Sequence, residues 1–274
     1  MRLIEYPVDC IDYRTVEEEG MEHDSRRRWR GIYCLLMIFF SACAPVVTLP
    51  PANMEYRQAI IVKTADWNAS AAILQAYEKE MERSSWVAVG KEIPAVVGRN
   101  GLGWGAGLHT MADAKSGPVK KEGDGKAPAG IFRLGSAFGY DPVEMTGWIR
   151  IPYQQMTPTM QCVDDERSPY YNRIVDAGRL KPDWSSGEEM SRKDELYRLG
   201  IEVDHNVNPV VAGNGSCIFL HIWGGPSQGT AGCTAMDGEN MEMLLLWLVP
   251  EAKPVLVQLP EEEYARVREP WGLP

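Results

Sequence analysis

Cys217-Ile218-Phe219-Leu220-His221-Ile222-Trp223 is the stretch on which the fold turns. Ile218, Leu220 and Ile222 alternate with Phe219, His221 and Trp223, the period of two that marks a strand with two distinct faces. His221 therefore points away from the aliphatic side, together with Phe219 and Trp223. Twelve residues after His221, Gly229-Thr230-Ala231-Gly232-Cys233-Thr234-Ala235-Met236 sets a thiol in a glycine-bearing turn. The chain has only four histidines, so this pairing narrows the search for chemistry to one region. Cysteine reacts as the thiolate and has a pKa near about 8.5 when free, so reactive use needs something to lower that value. An imidazolium at His221 would do so. So would the positive end of a helix capped by Asp237 and running through residues 241–248. Backbone N–H groups of the turn, at Gly232 and around Thr230, are candidates for holding a developing oxyanion. The chemistry this implies is acyl transfer through a thioester. A buried structural thiol is the competing account of Cys233.

Working outward, residues 58–63 and 253–259 read as strands. Asn68 reads as the cap of a helix over residues 71–81. Residues 86–89 and 94–97 read as two strands around a short turn, and 131–134 as another short strand. The glycine-rich segment 98–107 reads as loop, and residues 161–200 as a long, polar, irregular connection. Many short strands with few helices predict a mainly β domain with peripheral helices, built as a sandwich or a barrel-like sheet. Cys162 and Cys217 are candidates for a disulfide, which the sequence leaves open because it does not show their separation.

At the N-terminus, Arg26, Arg27, Arg28 and Arg30 precede an apolar run over residues 32–40, then Ser41-Ala42-Cys43. A basic segment, a short apolar one and small residues read as an export signal. The run is about ten residues, short of the roughly 20 that span a bilayer as a helix. Phe40-Ser41-Ala42-Cys43 is similar to a bacterial lipobox, which makes Cys43 the expected lipidation site and the chain an envelope lipoprotein, exported to the periplasmic side and membrane-anchored. Glu17-Glu18-Glu19 does not suit a signal peptide, so Met21 is the expected initiator. The expected divisions are 1–43 for extension and signal, 44–55 for a tether, and 56–274 for one folded domain. The mature chain of about 230 residues is enough for a single core. The formal charge is −10 with no basic stripe, which argues against a nucleic-acid partner. Gly101-Leu102-Gly103-Trp104-Gly105 does not complete a dinucleotide fingerprint. No spacing of His, Cys, Asp and Glu supplies the three protein ligands of a catalytic zinc. Neither a metal nor a cofactor is expected.

The pairing of His221 with Thr230-Ala231-Gly232-Cys233 resembles the YkuD-type L,D-transpeptidases, whose signature is a His, a glycine-bearing loop and Ser/Thr-x-Gly-Cys. Gly125-Lys126-Ala127-Pro128-Ala129-Gly130-Ile131-Phe132 is similar to the same family's hairpin upstream of the catalytic strand. The resemblance covers roughly residues 56 to 260. It implies Cys233 as nucleophile and His221 as base, with His221 oriented by a backbone carbonyl of the next residue. It implies peptidoglycan stem peptides as substrate. Three departures stand out: a short His-to-Cys interval, Ala231 in place of a second His, and Ala235 in place of the usual Arg. Gly-Cys-Thr-Ala-Met looks more like members that hydrolyse peptidoglycan–protein links. Whether the acyl group passes to an amine or to water therefore stays open, as does a non-catalytic wall-binding role. The absence of that Arg weakens the case for the family's substrate clamp unless Arg133 or Arg150 replaces it, and Arg133 is a candidate substrate contact. His205, within Asp204-His205-Asn206, is either a substrate contact or a turn residue. Trp104, Trp223 and Tyr140 are candidates for a peptide groove or for plain core.

Overall fold

Gln58–Thr64 (β1) is a strand buried on both faces, because it lies in the middle of a closed sheet. The computed structural model describes residues 56–80, 85–114 and 116–274. The leader, Cys43 and the tether lie outside them. β1 pairs antiparallel with β2 (Ala71–Glu78), which pairs with β3 (Val87–Val96). β4 (Leu102–Trp104) runs parallel to the start of the thirteen-residue β5 (Ala127–Gly139), and β6 (Tyr153–Gln155) runs parallel to its end. A separate three-stranded sheet follows: β7 (Met160–Val163) lies between β8 (Ile174–Asp176) and β9 (Gly187–Glu189). The chain then returns through β10 (Leu199–Val203), β11 (Phe219–Ile222) and β12 (Thr234–Met236) to helix α1 (Gly238–Trp247). It ends with β13 (Val255–Pro260) and helix α2 (Glu261–Val267). In the main sheet the order is β10-β11-β12-β3-β2-β1-β13-β5, and β5 pairs again with β10. That last pairing closes the sheet into a barrel, which removes its free edges. The mainly β expectation holds, with two helices packed on the outside of the described sheet.

Five local expectations are corrected. Residues 71–78 form a strand, not a helix. Ala-Ala-Ile-Leu-Gln-Ala-Tyr-Glu has good helix propensity, but its burial alternates along β2 and both neighbours offer ladder hydrogen bonds; tertiary context overrides propensity. The supposed cap at Asn68 is a turn, closed by the Asp66 carboxylate accepting from the N–H groups of Asn68 (2.7 Å) and Ala69 (3.0 Å). The two strands expected around residues 90–93 are one strand with a bulge. Its register jumps between Leu74↔Ile93 and Ala76↔Val89, with Gly90 at φ +68°. The glycine-rich loop contains β4, and its Gly101 is required: at φ +80° a Cβ would meet the Trp67 carbonyl oxygen at 2.1 Å. Residues 160–189, expected to be irregular, hold the three-stranded sheet.

The larger core cluster fills the barrel and the space under α1, with Ile60, Leu74, Phe132, Leu220 and Met236 fully buried. A smaller cluster of Phe138, Met156, Cys162, Met190, Tyr197, Cys217, Phe219 and Cys233 joins the three-stranded sheet to the barrel. Here Cys162 and Cys217 form a disulfide.

The corrected face of β2 makes a test. Leu74 is fully buried while Ile73 is 41% exposed. Leu74→Ala is expected to cost about 2–5 kcal/mol in denaturant unfolding, and Ile73→Ala no more than about 0.5 kcal/mol. Equal losses at the two positions would contradict the strand.

Candidate active site

Parallel pairing of β11 with β12 sets His221 opposite Ala235, two residues past Cys233. The turn that carries Cys233 is fastened from the other side by the segment after β3. Thr230 N–H donates to the Val97 carbonyl (3.0 Å), and Arg99 N–H donates to the Thr230 carbonyl (2.8 Å). Gly229 is needed for that approach, since a Cβ there would lie 2.7 Å from Arg99 Cα. Within the turn the Thr230 hydroxyl accepts from Gly232 N–H (3.1 Å) and donates to the Cys233 carbonyl (2.6 Å). The Gly232 N–H is thereby engaged, so Thr230 and Gly232 shape the turn. This corrects the expectation that the Gly232 N–H faces an oxyanion.

Cys233 and His221 line one cleft of about 510 Å³ and are each only 6% exposed. His221 Nδ1 lies 2.7 Å from the carbonyl oxygen of Ile222. With Nδ1–H donating there, Nε2 keeps its lone pair and can accept a proton. Burial pushes the imidazole down to about 4, and Arg192 adds to that while the Ile222 carbonyl opposes it. The thiol is held in its protonated form. Its S–H donates to the Cys217 carbonyl, and Sγ accepts from Phe219 N–H, each at 3.4 Å. Burial pushes the Cys233 thiol up to about 12, and the Glu188 carboxylate pushes it further; Phe219 N–H, the Tyr197 hydroxyl and Lys120 pull the other way. At rest the pair is neutral, because burial outweighs the ion pairing and helix field expected from the sequence.

The rest of the cleft wall was not legible as a motif. Tyr197 packs its ring edge-on to His221, with centroids 5.0 Å apart, and donates its hydroxyl to Glu188 Oε1 at 2.6 Å. Arg192 grips Asp194 through Nε (2.9 Å) and Nη2 (2.5 Å) and reaches Glu188 at 3.5 Å. Lys120, almost fully buried, pairs with Asp124 at 2.7 Å. Arg99 lines the same cleft. Trp223 lines it too, as one of the two readings of that residue had it. Tyr140 instead hydrogen-bonds the Arg192 backbone, and Trp104 is core, packed against Trp67 and His109.

Two expectations are corrected. Arg133 lines a different cavity, between Tyr56, Leu134, Ile151 and Pro254. It sits on β5 opposite Val255, so it cannot replace the missing Arg at the thiol. His205 is 1% exposed and does not line the thiol cleft. Its Nδ1 accepts from Ala106 N–H (3.3 Å) and its Nε2 meets the Asn214 carbonyl (2.9 Å). Its ring stands edge-on to Phe132. It is a satisfied core histidine that ties three loops together.

The resting state has a measurable consequence. A thiol shifted upward ionises only well above neutral pH. Ultraviolet thiolate absorbance, taken as the difference from Cys233→Ser, is therefore expected to show no step between neutral and mildly alkaline pH. A step in that range would reveal an ion pair in the free protein.

The family model for the L,D-transpeptidase catalytic domain, YkuD, matches residues 62–257. That span runs from within β1 to within β13 and takes in most of the barrel, the three-stranded sheet and the thiol cleft. No curated protein and no solved structure matches the chain. With well over half of its length matched, and a closed β fold that sets a histidine and a cysteine into one cleft, the chain belongs to the YkuD family of L,D-transpeptidase catalytic domains.

Proposed function

We propose that the protein is a cell-envelope acyltransferase that acts on peptidoglycan stem peptides, with Cys233 as nucleophile and His221 as base. The observation that carries this reading is the tautomer at His221. Its Nδ1 is committed to the Ile222 carbonyl, which leaves Nε2 to accept a proton in the cleft that holds the thiol. Sγ attacks the carbonyl carbon of the stem peptide bond as its proton passes to Nε2, because the resting pair is neutral. Collapse of the tetrahedral intermediate breaks the C–N bond, and the same proton leaves with the departing amine. A second amine or a water then resolves the thioester and returns a proton to the sulfur.

Hydrolysis is the second reading, and Ala235 favours it. Ala235 is fully buried where the family usually has Arg, so no cation projects from that position. A charge-assisted contact of about 1.5–3 kcal/mol is missing there, and Arg99, in the cleft wall, can supply a replacement. Arg26 to Arg30, the apolar run and Cys43 support an exported, lipid-anchored protein. Cys43→Ser is expected to move the protein from the membrane fraction to the soluble one, and unchanged partitioning would contradict the anchor.

Two experiments test the chemistry. Cys233→Ala is expected to abolish turnover of a tetrapeptide stem with circular dichroism unchanged, and His221→Gln to lower it by orders of magnitude. Retained activity in the first would end the thioester account, and a larger loss from His205→Gln would show that the base is wrongly assigned. Offering a tetrapeptide donor with and without a diamino-acid acceptor separates the two readings. Cross-linked dimer establishes transfer, and shortened tripeptide alone establishes a carboxypeptidase.

A further inference from the structure

The three-stranded sheet is joined to the thiol at several points. Its central strand β7 carries Cys162, which is bonded to Cys217. Cys217 is the residue whose carbonyl holds the Cys233 S–H. It sits at φ +55°, a conformation that a side chain rarely adopts, and is held there by the disulfide and by Asn172 Oδ1, which accepts its N–H at 2.9 Å. Asn172 lies two residues before β8, and its amide also donates to the carbonyls of His205 (2.9 Å) and Asn206 (2.8 Å). On the other side of β7, the register pairs Cys162 with Glu188. The residue stapled beneath the thiol is thus the cross-strand neighbour of the carboxylate that accepts the Tyr197 hydroxyl.

We propose that Glu188 is a positioning residue for Cys233: carried over the cleft by the disulfide-stapled sheet, it fixes the Tyr197 hydroxyl beside the sulfur and restrains that sulfur's reactivity. The inference rests on the reading of Cys233 as nucleophile. Geometry and charge act together here. The one proton of the Tyr197 hydroxyl rests on Glu188 Oε1, so it can stabilise a thiolate only by leaving that carboxylate, and the Glu188 charge opposes ionisation directly. The other groups around the sulfur are already committed: Lys120 to Asp124, Arg192 mainly to Asp194, and His221 to the Ile222 carbonyl. Burial raises the Glu188 carboxyl, the Tyr197 hydroxyl and Arg192 oppose that shift, and Asp164, in the same cleft, adds to it. The restraint has a chemical purpose. Thiol–disulfide exchange proceeds through the thiolate, and Cys233 lies in one cluster with the Cys162–Cys217 bond. A resting thiolate there would attack its own staple. A protonated one does not.

The test is the rate of Cys233 alkylation by iodoacetamide in the full chain, followed by peptide mass mapping across neutral to mildly alkaline pH. Glu188→Gln keeps an acceptor for Tyr197 but removes the charge, and is expected to shift log rate against pH acidward by about one unit, or about tenfold faster at fixed pH. Tyr197→Phe is expected to shift it the opposite way. Cys162→Ser combined with Cys217→Ser should shift it acidward like Glu188→Gln, because the sheet no longer holds the carboxylate in place. An unchanged profile in Glu188→Gln overturns the proposal, and a wild-type profile in a folded double-serine variant overturns the part played by the staple. The Glu188 and Tyr197 arms stand whether or not the double-serine variant folds. These shifts are read at the sulfur itself, so they are separable from failure of the nucleophile assignment, which appears as retained turnover in Cys233→Ala.

Discussion

Everything at the thiol cleft depends on two strands, β11 and β12, lying parallel with Leu220 opposite Thr234 and His221 opposite Ala235. Parallel neighbours need a crossover, ordinarily a dozen or more residues and usually a helix. Here the crossover is the loop 223–233, and Cys233 is its last residue. The chain must rise off the sheet and return within that length, so it is pinned at Val97 and Arg99 and closed by the Thr230 hydroxyl. The same pairing aligns His221 with the strand onto which Cys233 feeds. A shift of the register by one residue would turn His221 into the barrel.

Burial is the second constraint, and it sets the chemistry. Both groups are almost fully removed from water, so each is pushed toward its neutral form. The imidazole is then ready as a base, while the thiol is slow to ionise. Such a pair spends little time as thiolate in the empty cleft, so in the proposed reaction proton transfer accompanies the attack. The hydrogen bonds that hold the thiol come from the backbone of residues 217 and 219, on the approach to β11. The Cys233 thiol is thus restrained by the strand that carries His221.

How much of this could be read from the sequence follows from how local each signal is. The alternation at residues 218–223, the cap at Asp237 and the Gly-Cys turn are contained within a few residues, and all three are present. So are the central β1 and β13, whose unbroken aliphatic runs have few other uses. The strand β2 was illegible because its composition is that of a good helix and only its partners decide otherwise. β7 to β9 were illegible because they are three- and four-residue strands in a polar segment, held by the Cys162–Cys217 bond across a sequence separation of 55. Glu188 reaches the thiol through that long-range staple, and Tyr197 and Arg192 through the pairing of β10 with β11, so no local pattern marks them. Arg133 and His205 were plausible by residue type, but strand register and loop packing send them elsewhere.

The central claim is that a bond forms between Cys233 and the stem peptide. Intact-mass analysis of the protein, quenched in acid during turnover of a tetrapeptide stem, tests it most directly. The account predicts an adduct of tripeptide mass that maps to the Cys233 peptide, is released by hydroxylamine, and does not form in Cys233→Ser. Turnover without any adduct, or an adduct mapped to another residue, would contradict it.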